Sequence, residues 1–490
     1  MNNFKSIELF FCLFLLGATA HSALANPIQV ENAKAGNPEW QIDEQEVAKN
    51  NEIEGYASPA SVNSNNTIKL YINSTADQSY TLTIYRLGWY DGMGARQMQP
   101  PITRTSIKQV LPTPNPTTGL VEANWRDPYR LTIPRNWVSG IYIALVKGDQ
   151  SGLNRYIPFV VTNDGRFSTY LFQSAVTTWQ AYNGWGGKSL YPSSSSNGIS
   201  ARKVSFNRPY LEGAGMGQLD KWEINMLRFL EREGYDVSYQ ADTDTDEGTG
   251  GLLYLYHKSL LSVGHDEYWT KKMRDNVENA RNHGLGLGFF GANICFWQIR
   301  LEPSGTGQAK RTIVGYKYFA EAEDPYALDS NLSNDNQITT QWRLAPVNRP
   351  ENALIGVMYT TDPVDGDIVV SNASHWVYTG TGLQNGDKLA GLLGYEIDSY
   401  INNGQAPANT QIVATSPDPL NPTLFGDMSV YTRDCTSSYF CANNTATVFA
   451  TGSMQWNWGL DNYGFRGLEN NAAKQITRNV LARIVSASLP

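Results

Sequence analysis

The sequence predicts a multidomain chain of the α+β to α/β class: an all-β portion, then a core built on a mostly parallel sheet. Three observations carry this. Before about residue 163, short alternating strands are separated by Asn, Asp, Gly and Pro turns. After it, buried strands alternate with helical patterns. The length, 490 residues, exceeds what one ordinary core holds.

In the first portion, Ile68, Leu70 and Ile72 fall on one face of a strand, and Tyr80, Leu82 and Ile84 repeat the pattern. A further strand begins at Ile141 after Ser139-Gly140. This spacing predicts an Ig-like β-sandwich over residues 26–163. The stretch Ile84 to Gly94 reads as a strand running into a structural glycine-rich turn, and Thr162-Asn163-Asp164-Gly165 as the boundary. Residues 164–490 then form the α/β domain. Ser168–Phe172 reads as a buried strand, followed by a long loop over 177–187. Trp222, Met226, Phe229 and Leu230 keep helical spacing up to Gly234, before a strand at Val237–Tyr239. Leu260–Val263 and Leu285–Phe290 are strands joined by a helix whose inner face is Met273, Val277 and Ala280. From about 301 onward strands mix with long loops, and a closing helix aligns Ala473, Ile476, Val480 and Ile484.

Composition narrows the function classes. A net charge of −8 with no basic run argues against nucleic acid as a partner. Residues 1–25 have the order of a signal peptide: Lys5, an apolar run from Leu9 to Leu16, then Ala23-Leu24-Ala25. That run is shorter than the ~20 residues that span a bilayer, and no later segment is long and apolar enough. Cys12 lies inside the run rather than just after it, which argues against a lipoprotein site. The expectation is a protein secreted or periplasmic after cleavage behind Ala25, with no membrane contact. Three cysteines follow that point. Cys435 and Cys441, in a polar loop, are expected to form a disulfide, with Cys295 left over. The many aromatics, 27 Tyr and 13 Trp, chiefly pack core and strands, while Trp179, Trp185, Trp456 and Trp458 read as exposed loop residues.

Chemistry concentrates where two buried strands end. Gly264-His265-Asp266-Glu267-Tyr268-Trp269 follows the first, and Gly291-Ala292-Asn293-Ile294-Cys295-Phe296-Trp297 follows the second. Parallel strands joined by one right-handed crossover present their carboxyl ends on one edge, where ligand sites form. The topology therefore gathers a His, two carboxylates, a phenol, an Asn and a thiol. Asp266 has an alternative role at the N-terminus of the following helix.

These two segments resemble the large (beta) subunit of N,N-dimethylformamidase and its secreted relatives. Ser374-His375-Trp376-Val377-Tyr378-Thr379-Gly380-Thr381-Gly382-Leu383, Gly394-Tyr395-Glu396-Ile397-Asp398 and Arg86-Leu87-Gly88-Trp89-Tyr90 carry the same resemblance. It implies a glutamine-amidotransferase-like (flavodoxin-like) core beside the β-sandwich. It also implies an iron (Fe3+) held by two tyrosines and one glutamate, hydrolysis of an amide C–N bond, and a small partner subunit or a homo-oligomer. Carried over residue by residue, Tyr268 is the expected phenolate and Glu396 the expected carboxylate ligand. Glu267 is the second choice for that ligand, and serves the proton transfers with His265, Asn293 and His375. The family's other tyrosine falls at Phe296, which cannot ligate; Tyr182, Tyr316 or Tyr318 would have to substitute. The substrate implied is a small amide or a peptide.

Two further enzyme readings and one binding reading stand beside it. Cys295 with His375 or His265 would make a thiol nucleophile, although the elbow sequence is missing. Zinc on His265, His375 and Glu267 lacks the usual ligand spacing. A catalytically degraded binding protein for glycans or peptides would use the Trp-rich loops, and Phe296 favours it.

Overall fold

The computed structural model describes residues 25–486 except 76, 164, 248–252, 438–439 and 465. The expected export segment, apart from Ala25, lies outside these residues. Among them no helix is long and apolar enough to cross a membrane. The architecture is mixed α+β and mostly sheet.

The period-2 pattern of the first portion folds as read. Ile53–Ser58, Thr67–Ser74 and Tyr129–Thr132 form an antiparallel three-stranded sheet. A second sheet runs in the order Ser61–Asn63, Asn154–Thr162, Gly140–Gly148, Ser79–Leu87, Ala95–Gln97, with Ile102–Thr105 also on Ser79–Leu87. Ile68, Leu70 and Ile72 from one sheet and Leu82, Ile84, Ile157 and Phe159 from the other share one apolar core.

A seven-stranded sheet follows, ordered Val237–Ala241, Ser168–Ser174, His257–Gly264, Gly286–Gly291, Thr445–Ala450, Phe425–Asp434, Gln411–Pro417. The first five are parallel, Phe425–Asp434 runs antiparallel to them, and Gln411–Pro417 runs antiparallel to Phe425–Asp434. The two strands expected to share a direction do so, with Leu260 opposite Leu287 and Gly264 opposite Gly291. Helix Lys271–Asn282 buries Met273, Val277 and Ala280 between them in sequence. Helix Asn471–Ile484 packs on Gly286–Gly291 and Thr445–Ala450, with Ala473, Ile476, Val480 and Ile484 inward. The antiparallel extension was not legible, since its strands lie among the long loops after residue 301.

Three expectations are corrected. The loop assigned to 177–187 begins as a helix, Val176–Tyr182, whose Trp179 and Ala181 are buried; glycine first appears at 184. The helix carrying Trp222 to Leu230 is broken into Leu219–Trp222 and Ile224–Arg232. At the break Glu223 turns inward to accept hydrogen bonds from Ser174 Oγ, the Ala175 N–H and Trp179 Nε1. Trp179, Trp185, Trp456 and Trp458 are all buried, each indole donating a hydrogen bond: to Glu223, Glu54, Thr477 and the Lys221 carbonyl respectively. They are not a platform for glycans or peptides.

The disulfide Cys435–Cys441 is formed and Cys295 is free and buried.

Candidate functional site

Strands His257–Gly264 and Gly286–Gly291 end side by side, and the loops beyond them are tied by backbone. Cys295 N–H donates to the Asp266 carbonyl, while Phe296 and Trp297 N–H both donate to that of Glu267. The approach demands glycine: a Cβ on Gly291 would sit 1.9 Å from the Gly264 carbonyl oxygen. Asp266 faces inward beneath the loop, accepting from Gln173 Nε2, Ser262 Oγ and Trp269 Nε1. The helix N-cap is instead Thr270, whose hydroxyl accepts the Met273 N–H.

Above this scaffold lies a buried charged cluster. His265 Nε2 sits 3.1 Å from Glu267 Oε2 and 3.2 Å from Glu396 Oε2. It lies between them, in line for a straight hydrogen bond to neither, so it is an ion-pair contact with both. On the other side of the ring, Nδ1 is 3.2 Å from Gln218 Oε1. Glu396 arrives on strand Lys388–Ser399 from a separate hairpin, where the nearby Asn293 side chain favours its charged form. The Asn293 N–H donates to Asp398 at 2.7 Å. The structure therefore brings His265, Glu267, Asn293 and Glu396 together. His375 is not among them: its Nδ1 caps a 3-10 turn at Val377 and its ring lies against Trp376.

Two phenols complete the cluster. Tyr182, at the end of its helix, donates to Glu267 Oε2 at 2.8 Å, and Tyr191 to Oε1 at 2.7 Å. Their rings stack 4.2 Å apart. Tyr268, by contrast, is paired with a cation: Lys317 Nζ donates to its hydroxyl at 2.9 Å and rests 3.2 Å from the Tyr191 ring centroid. Phe296 packs on Trp297, Tyr359 and the Arg343 guanidinium. Tyr318 is exposed on Trp297, and Tyr316 packs in a separate apolar group with Ala320 and Ile338. Sequence reasoning missed Tyr191, Lys317 and Gln218. Tyr191 lies nine residues past Tyr182 in an aromatic-rich stretch, which was the available clue; Lys317 and Gln218 sit in no motif.

Electrostatics follow from burial and pairing. Burial opposes a charge on His265, but Glu396 and Glu267 together raise its imidazole to about 10. Burial pushes the Glu396 carboxyl up, and the Glu267 charge adds to this against His265. Burial also acts on Glu267, yet His265, Lys317 and Tyr191 outweigh it and hold that carboxyl below its ordinary range. Burial, reinforced by Glu267, keeps Tyr182, Tyr191 and Tyr268 well above the usual phenol range. Burial pulls Lys317 down to about 7 against the two carboxylates. Two carboxyl groups pushed in opposite directions around one imidazole are equipped to hold and pass a proton.

Cys295 lies in an apolar cluster with Trp269, Ile294 and Trp342, and burial raises its thiol far above the reactive range. The thiol-nucleophile reading is thereby removed. Among the described residues no three His, Cys, Asp or Glu side chains are placed to hold a metal ion, which leaves zinc on His265, His375 and Glu267 without a site.

An α+β protein with a buried acid–base cluster at the carboxyl edge of its parallel strands is the class this geometry defines. The chain belongs to the family described as N,N-dimethylformamidase beta subunit-like, C-terminal, which it matches over residues 81–472. No curated protein matches it. Among solved structures, a calcium binding mutant of Bacteroides uniformis beta-glucuronidase 2 aligns at 9% identity with a TM-score of 0.13, covering 47% of this chain. The alignment spans about a quarter of that protein's length, 25%, and carries no argument about fold or function.

Proposed function

We propose that this protein is a metal-dependent hydrolase of amide C–N bonds, with iron as the metal. The observation that carries the reading is the convergence of two stacked phenols on Glu267, which itself contacts an imidazole shared with Glu396. Phenol and carboxylate oxygens are hard anionic donors once deprotonated, and a bound cation deprotonates them. Tyr182, Tyr191 and Glu267 therefore fit the two-tyrosine, one-glutamate set better than Tyr268 and Glu396, because the Tyr268 hydroxyl already meets the Lys317 ammonium. When bound, the metal would polarise the amide carbonyl and lower the pKa of water.

The chain's own groups handle the proton. Hydrolysis joins a water oxygen to the carbonyl carbon and releases the amine, so one proton must travel from water to nitrogen. Glu396, a carboxyl raised by its surroundings, is suited to accept it, and His265 to hold and return it. Asn293 favours the charged form of Glu396, and Gln218 fixes the imidazole ring.

The wider reading keeps an Ig-like first domain over 26–163 and a flavodoxin-like core beyond it. It also keeps export behind a signal peptide. The family's description speaks of a beta subunit, which supports a small partner subunit; a homo-oligomer is the other arrangement. The substrate is a small amide or a peptide.

Metal analysis and a visible spectrum of the purified protein test this. Stoichiometric iron with a tyrosinate charge-transfer band is expected, and Tyr182→Phe, Tyr191→Phe and Glu267→Gln should each lose both. Glu396→Gln should keep the iron and lose amidase activity by about a hundredfold or more. Iron retained by all three ligand variants, or no hydrolysis across a panel of small amides, would defeat the proposal.

A further inference from the structure

A pocket where the first portion of the chain meets the later one owes nothing to the hydrolase reading. Alternation in strands Ile53–Ser58 and Thr67–Ser74 sends Ile53, Ala57, Ile68, Leu70 and Ile72 into the sheet-to-sheet core. The residues between them point the other way. Tyr56 and Tyr71 are direct cross-strand partners on that outer face, and their rings stack 5.0 Å apart at 14°. Trp125 leans on Tyr56 at 5.3 Å and is backed edge-on by Trp185. The Tyr56 hydroxyl donates to the Ala123 carbonyl at 2.6 Å, pinning the segment that brings Trp125 there.

These rings and a loop around Gln308 line an open pocket of about 100 Å³. Its other walls are the carboxamides of Asn124, Asn207 and Gln308 with small hydroxyl residues; among the described residues no Asp, Glu, Lys, Arg or His side chain lines it. Asn207 is engaged on both ends of its carboxamide, donating to Glu122 and accepting from Arg311. Gln308 Oε1 accepts from Ser58 Oγ, and its Nε2 has no partner among the described residues. Trp125 Nε1 is buried without a partner among the described residues.

Each ligand class can be weighed against that lining. A cation or an anion finds no counter-charge, and placing it there would cost its hydration. A purely apolar ligand would cover the carboxamides and forfeit their hydrogen bonds. A ring with an apolar C–H face and hydroxyls around its edge satisfies both halves, since amide groups donate and accept while the half-buried Tyr71 ring, backed by the buried Tyr56 and Trp125, takes the C–H side. We infer that this pocket binds a neutral pyranose sugar, one ring deep, as the end or a residue of a glycan. No residue of the His265 cluster lines it, so sugar binding and that cluster are separate functions of the chain.

Saturation-transfer NMR on the full-length protein tests the inference. The probes are methyl glucoside, methyl mannoside, methyl galactoside and N-acetylglucosamine, with glucuronate and a neutral tripeptide as contrasts. At least one neutral sugar should bind, with Kd on the order of millimolar for so small and open a site. Saturation should be strongest on one ring face. Tyr71→Ala should weaken binding roughly tenfold and Gln308→Ala roughly threefold. Gln308 is exposed, so its variant folds normally and carries the test should Tyr71→Ala unfold the sheet. No neutral sugar bound at ~100 mM, glucuronate or the tripeptide bound in preference, or affinity untouched by Gln308→Ala would each overturn it.

Discussion

Tyr268 shows how one hydroxyl separates two roles. The sequence made it the leading metal ligand; in the fold its oxygen accepts from Lys317, and the carboxylate phenols are Tyr182 and Tyr191. Tyr268→Phe should therefore keep the metal content of the protein while removing the polar partner of a buried ammonium. A stability loss of about 1–3 kcal/mol, read by urea unfolding, is expected. Metal lost with stability unchanged would return Tyr268 to the ligand set. Phe296, packed among Trp297, Tyr359 and Arg343, should accept a tyrosine with no gain of metal. His265, Glu267 and Asn293 could be read as neighbours because each follows a parallel strand by a few residues. Glu396 was recognised through its motif alone, and its partnership with His265 was not legible: it comes from a hairpin more than a hundred residues downstream. Tyr191 and Lys317 reach the cluster through loop geometry that no short pattern encodes.

At the scale of elements, amphipathic period and strand run identified the central strands, helix Lys271–Asn282 and helix Asn471–Ile484. What failed was continuity: the helix break at Glu223 depends on a carboxylate finding Ser174, Ala175 and Trp179 across the fold. The start of the middle strand gives a testable titration. His257 opens it, its Nδ1 2.8 Å from Ser168 Oγ on the neighbouring strand. Burial, helped by the Arg166 charge, lowers its imidazole to about 4 from an ordinary 6.5. The folded state thus resists a proton that the unfolded chain accepts, and stability should rise with pH between about 4 and 6.5. Because the residue is half-buried, the contribution is about 1–3 kcal/mol. His257→Gln should flatten that part of the stability curve in unfolding experiments run from pH 4 to 7. An unchanged slope would mean that the imidazole is solvated and titrates normally.

Across the whole molecule, the β portion and the parallel-sheet core are joined by a continuous apolar cluster. Tyr85, Leu87, Ile141 and Ile143 from the first pack with Phe172, Leu227, Leu230 and Tyr239 of the second. Apolar contact alone tolerates sliding; the register is set by a polar network inside it. Arg86 donates through both terminal nitrogens to Glu231, at 2.8 and 2.7 Å, and to the Ser139 carbonyl at 2.9 Å. The Tyr239 hydroxyl and Asn32 Nδ2 donate to the same carboxylate. Both members of the ion pair are wholly buried. Desolvation offsets most of the attraction in such a pair, so its net stabilisation is small while an unpaired survivor is costly. Arg86→Met should accordingly destabilise by about 3–5 kcal/mol, because it strands the Glu231 charge. Adding Glu231→Leu should recover much of that loss, short of the full value because Tyr239 and Asn32 then lose their acceptor. Thermal and denaturant unfolding of the two single variants and the double variant measure the coupling directly. Additive losses would mean that the two charges act independently, and that apolar packing alone holds the β portion on the core.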